Sequence, residues 1–153
     1  MIMKAVTISQ FSELRFDDVV LHLERDAPAE PAKNWLRALH YAIHAGSERV
    51  GTIDLRLGYT TSLVLYGGHI GYGVEPPHRG RHFAGKACRA LAPLAAAFGL
   101  DTLWITCNPD NWASRRTCEY AGATLVEVVD LPPESDMYLE GDRQKCRYRW
   151  ILY

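Results

Sequence analysis

GYGVEPPHRGRHFAGKA, Gly71 to Ala87, reads as a strand halted by two prolines that turns directly into the N-terminus of an amphipathic helix. The first N–H groups of a helix lack internal partners and its dipole favours negative charge, so this turn is a candidate anion site. Gly80, Ala84 and Gly85 are small enough to leave the approach open, and Arg79 and Arg81 add positive charge at its mouth. Upstream, Gly68 to Glu75 is predicted as the strand, with Ile70, Tyr72 and Val74 on one face. Downstream, Ala84, Ala87, Cys88, Leu91, Leu94, Ala95 and Phe98 recur at helical spacing, and Gly99 can close the helix. Pro93 falls inside that helix, where it removes a hydrogen bond at about 3 kcal/mol unless a kink relieves it.

Farther out, Val19 to Glu24 is predicted as a first strand, and Leu39 to Ala45 and Arg49 to Leu57 as a hairpin across Gly46 and Ser47. Beyond the helix, a strand over Thr102 to Thr106 leads through Asn108-Pro109 or Asp110 as N-cap into a helix over Asn111 to Ala121, closed by Gly122. Strands over Thr124 to Val129 and Lys145 to Leu152 end the fold. The pattern is α+β: a mixed, mostly antiparallel central sheet of about six to seven strands flanked by helices, in a single domain over residues 1–153.

Composition agrees with one globular domain: 153 residues, 48% apolar and 23% charged, bury a core without needing disulfides or a partner to fold. With 17 Lys+Arg against 18 Asp+Glu there is no positive excess to drive nucleic-acid or membrane binding. The longest apolar stretch, Ala90 to Leu100, is too short to span a bilayer. The N-terminal MIMKAVTISQ lacks a secretory h-region, and Cys88, Cys107, Cys118 and Cys146 form no CxxC pair; a cytoplasmic location with reduced thiols is expected. His40 and His44 read as strand residues, and no metal is assigned.

Two motifs in order resemble the GNAT superfamily of acyl-CoA-dependent N-acetyltransferases. That family's turn signature, Arg or Gln, two residues, Gly, one residue, then Gly or Ala, reads Arg79-Gly80-Arg81-His82-Phe83-Ala84 here, with His82 at the central Gly position. A second signature, Asn-x-x-Ser followed by a short helix and Gly, reads Asn111-Trp112-Ala113-Ser114 through Gly122, and resembles the ribosomal-protein alanine acetyltransferase subgroup. VGTIDLRLG, Val50 to Gly58, is similar to the family's third strand. The family's usual pair of helices between its first two strands has room here only for a short piece around Asp26 to Asn34.

The resemblance implies acetyl-CoA as acyl donor, with no metal, and direct transfer to a primary amine of a small molecule or a peptide N-terminus. Backbone groups of Tyr72, Gly73 and Val74 would pair with the pantetheine arm, and N–H groups from Gly80 through Arg81, His82, Phe83, Ala84 and Gly85, with Arg79 beside them, would hold the pyrophosphate. Asn111 would bond the pantetheine, and Asn111, Ser114 and Cys118 share a helical stripe facing the cofactor thiol. Glu75 is the candidate base, with His69 and Asp54 as alternatives. Many members use a Tyr seven residues after the Asn to protonate the leaving thiolate; that position is Cys118, so Ser114 takes the role, with Tyr120 as alternative. The loops Gly58 to Gly67 and Leu131 to Asp142 are candidates for the acceptor walls, and Glu134, Asp136, Glu140 and Asp142 would suit a cationic amine. A homodimer is one assembly open to the chain. A non-catalytic acyl-CoA-binding or regulatory module is the alternative function.

Overall fold

The computed structural model describes residues 7–152; residues 1–6, which hold most of the N-terminal stretch read above as lacking an h-region, and Tyr153 lie outside the described residues. Among the described residues, eight strands form two antiparallel sheets. The larger has the order β1(Glu13–Phe16), β2(Val19–Ala27), β3(Ala38–Ala45), β4(Glu48–Arg56), β5(Ile70–Val74); the smaller runs β6(Thr102–Cys107), β8(Gln144–Ile151), β7(Thr124–Asp130). The expectation of one sheet of six to seven strands is therefore corrected to two sheets of five and three. Glu13–Phe16 was not expected, because four residues carry too little alternation; it pairs with β2 through a tight turn whose Asp17 takes φ 53°.

Hairpin β3–β4 turns at Gly46, φ 63°, as its Gly-Ser pair predicts. Nothing longer than a short 3-10 turn, Pro31–Lys33, separates β2 from β3, so no helical pair covers the outer sheet face among the described residues. His40 and His44 lie on that face of β3.

The inner face carries the core. Leu21, Leu39, Tyr41, Ile43, Ile53 and Leu55 are fully buried, and Ala87, Cys88, Leu91, Leu94 and Ala95 belong to the same buried cluster. These last five lie along two helices, not one: α1(Phe83–Ala90) and α2(Ala92–Ala97). At the join, the Leu91 N–H is shared between the carbonyls of Ala87 and Cys88. Restarting the helix at Ala92 places Pro93 in the first turn of α2, where its missing N–H has no intrahelical partner to lose.

The two sheets meet at β5 and β6 and then diverge. His69 joins them: its N–H donates to the Trp104 carbonyl, Trp104 N–H donates back to His69 Nδ1 at 2.9 Å, and His69 Nε2 donates to the Gly58 carbonyl at 2.8 Å. Past this join the β5 edge faces α3(Trp112–Ala121) across an open cleft. A last helical turn, α4(Asp136–Leu139), brings Met137 to the cleft.

Candidate active site

The turn after β5 is built to present backbone donors. Pro76–His78 forms a 3-10 turn, Gly80 takes φ 87° with nothing within 4 Å of where a Cβ would sit, and His82 takes φ 62° as the N-cap of α1. The N–H groups from Gly80 through Gly85 meet no acceptor among the described residues. His82 thus adopts the left-handed conformation that favours glycine, with its ring stacked on Tyr120 at 4.6 Å, away from the donors. Gly85 does not open the approach as expected. It lets α1 lie against α3, since a Cβ there would come within 2.4 Å of Tyr120.

A cavity of about 510 Å³ runs from this turn into the cleft. Tyr72, Gly73 and Val74 form one wall, the turn from His78 to Ala84 the end, and Asn111, Ala113, Ser114, Arg116 and Thr117 of α3 the other wall; Arg81 is not on the wall. Glu75 N–H bonds the Val50 carbonyl across the sheet, so by alternation the backbone groups of Tyr72 and the Val74 N–H point to the open edge. Arg79 Nε donates to the Val74 carbonyl at 2.9 Å and pins the turn to the strand end.

A second cavity of about 300 Å³ opens from the far side of the same point, sharing Tyr72, Asn111 and Ser114 with the first. Arg56, Gly71, Cys107 and Asn108 line it, with Tyr66 and Gly67 from one expected wall loop and Met137 from the other.

At the shared point the Tyr72 hydroxyl lies 2.5 Å from Ser114 Oγ and 3.9 Å from Cys118 Sγ. Burial pushes the Tyr72 phenol well above its ordinary range, so it stays protonated. Asn111 is itself the N-cap of α3, correcting the expected Asn108 or Asp110 cap; its Oδ1 accepts the Ser114 N–H at 3.1 Å, fixing Ser114 in place. Asn108 instead bonds Asp142 and Lys145. Cys118 is fully buried behind this pair and lines neither cavity, and its contact with Cys107 and burial push its thiol up. The thiol on the wall is Cys107. Contact with Cys118 and Ser114, aided by the charges on Arg115 and Lys145, pulls it down to about 7.

Of the base candidates, Glu75 is exposed at the strand end and lines neither cavity. His69 is fully buried with both ring nitrogens engaged, which removes it as a base. Asp54 lies beneath Gly71, with burial raising its pKa against the pull of Arg56 and His40. Tyr120 packs against His82 and Arg89, not at the cleft floor. Among the described residues, no group of three or more His, Cys, Asp or Glu is placed to hold a metal, and no helix is long and apolar enough to cross a membrane. The Tyr72 phenol, Arg56, Cys107 and Arg116 were missed in the sequence. Only Tyr72 carried a signal, its alternation with Ile70 and Val74 onto the inner face.

Residues 11–124 match the family model described as acetyltransferase (GNAT) domain. No curated protein sequence matches the chain. Among solved structures, the chain resembles the microcin C7 self-immunity acetyltransferase MccE in complex with acetyl-CoA and AMP, at 19% identity and TM-score 0.60, over 74% of this chain and 61% of that one. It spans less than two thirds of that relative. The RimL ribosomal L7/L12 alpha-N-protein acetyltransferase matches at 17% identity and TM-score 0.65 over 91% of this chain and 93% of that one. A GNAT-family acetyltransferase from Bacillus anthracis matches at 15% and 0.63, over 91% and 98%. At these identities the structural matches establish the shared mixed α+β fold.

Proposed function

The chain belongs to the GNAT acetyltransferase family, acyl-CoA-dependent N-acetyltransferases, and from that premise we propose that it transfers the acetyl group of acetyl-CoA directly to a primary amine of a small molecule or a protein N-terminus. One observation carries the reading: Gly80, His82, Phe83 and Ala84, whose N–H groups are unsatisfied, close one end of a cavity whose other end is the Tyr72–Ser114 hydroxyl pair. Such a run of donors at a helix start fits a pyrophosphate.

Gly80 to Ala84 bind that group through their N–H groups, with Arg79 and Arg116 adding charge. The free edge at Tyr72 and Val74 takes the pantetheine arm as an extra strand would, and the Asn111 side-chain amide, its oxygen already committed to Ser114, has N–H donors left for the same arm. Acetyl-CoA supplies an activated thioester. Ser114 donates the proton that the sulfur takes as the C–S bond breaks and the N–C bond forms, and Tyr72, bonded to Ser114 Oγ, holds that hydroxyl in place. The proton the amine loses balances the one the sulfur gains. Cys118, behind the pair, packs and does not react; Glu75, off both walls, reaches the amine only through water.

Calorimetric titration with acetyl-CoA, with CoA and ADP as controls, tests the site, and amine-dependent release of free thiol tests the reaction. Saturable binding that needs the pantetheine arm, together with thiol release, is expected. Binding without release would make the chain an acyl-CoA-binding module, and absence of binding at millimolar ligand would overturn the reading.

A further inference from the structure

The second cavity is where an acceptor must enter if the first holds acetyl-CoA, because the two meet only at Tyr72, Asn111 and Ser114. The walls of this second cavity carry two cations, Arg56 and Lys145, and no carboxylate among the described residues. The acids expected to greet a cationic amine are elsewhere: Glu134, Asp136 and Glu140 are exposed and off the wall, and Asp142 is turned onto Lys145 at 3.2 Å. Arg56 donates to the Gly68 carbonyl at 3.0 Å and stands 3.7 Å from Asp54, which leaves guanidinium N–H groups uncommitted. Lys145 spends two of its three donors on Asn108 and Asp142.

With acetyl-CoA in the first cavity, the reading on which this rests, we infer that the acceptor is a primary amine with an anionic group close by. An amino acid, or a peptide N-terminus followed by acidic residues, meets that description, its carboxylate held by Arg56 and Lys145. Arg56 offers the planar fork that pairs with a carboxylate, and Lys145 a point charge. The size agrees: about 300 Å³ leaves room for a one- or two-residue head group at the cleft.

The test measures kcat/KM by thiol release at saturating acetyl-CoA for matched peptides, Ser-Asp-Asp-Phe against Ser-Lys-Lys-Phe, and for free glutamate against putrescine. The acidic peptide or glutamate is expected to lead its partner by about tenfold, with the gap narrowing as salt is raised. Which of the two anionic acceptors is faster separates a free amino acid from a peptide N-terminus. Arg56→Met, and independently Lys145→Met, should each reduce the preference while calorimetric binding of acetyl-CoA stays unchanged. Intact acetyl-CoA binding with equal or faster turnover of the lysine peptide and putrescine overturns this inference alone. Loss of acetyl-CoA binding in the unaltered protein overturns the reading on which it rests.

Discussion

Ser114 owes its position to two neighbours of different origin: Asn111, three residues earlier on the same helix, and Tyr72, forty-two residues away on β5. Removing either hydroxyl should slow transfer without loosening the donor. Tyr72→Phe and Ser114→Ala are each expected to lower kcat by about tenfold to a hundredfold with an unchanged dissociation constant for acetyl-CoA, and the double variant should be no slower than Ser114→Ala. Additive losses in that cycle would show that Tyr72 acts apart from Ser114. Cys107 offers a second check. Its thiol is pulled down to about 7, so its alkylation rate should rise through about pH 7 and level off above, while Cys88, pushed up to about 12 by burial, stays unlabelled at pH 8. Mass mapping after brief iodoacetamide treatment reads this directly. Asn111 and Ser114 were legible because Asn111-Trp112-Ala113-Ser114 resembles a family signature, although the cap itself was expected earlier, at Asn108 or Asp110. Tyr72 and Arg56 could be placed on strand faces, but which partner each meets depends on how far two sheets diverge, and no local pattern records that.

The helix that begins at His82 shows how an element tolerates a departure from its motif. Only the backbone is asked to do what glycine does there, and the imidazole finds a stacking partner in Tyr120. His82→Gly should therefore keep acetyl-CoA binding, whereas His82→Val, β-branched at φ 62°, should cost about 1 to 3 kcal/mol by thermal melt. Gly85→Ala tests the packing of α1 on α3. A Cβ forced to 2.4 Å from Tyr120 must displace that ring or the helix, so a lowered melting temperature and weakened acetyl-CoA binding are expected together. The strand, proline turn and helix start were all legible, since each is written in residues that punctuate the backbone. The break at Leu91 was not, because the apolar period runs through it unchanged and only Pro93 marked it.

For the molecule as a whole, stability in acid turns on the residue that joins the sheets. Burial, which strips the imidazolium of water, lowers His69 from 6.5 to about 4, so the ring is neutral in the fold where the unfolded chain would be charged. Stability is then fully present above about pH 6.5 and falls as pH drops toward 4, by on the order of a few kcal/mol. Melts across that range should show the loss, and His69→Gln should flatten it. Acetyl-CoA, on the proposed reading, acts in the opposite sense by filling the edge that β5 leaves unpaired. At a hundredfold excess over its dissociation constant it should add about 2.7 kcal/mol, or about 5 to 10 °C in Tm. With the sheets joined at the start of β5 and only the Tyr72–Ser114 pair to catch it partway along, the strand also makes the cleft a lever. The strand has five residues, so its far end lies about 17 Å from the fulcrum at about 3.3 Å per residue, and a rotation of about 10° there sweeps that end through about 3 Å. That travel equals the length of a hydrogen bond, about 2.9 Å, so a rotation of about 10° at His69 decides whether Val74, at the far end, is within reach of a strand laid along it.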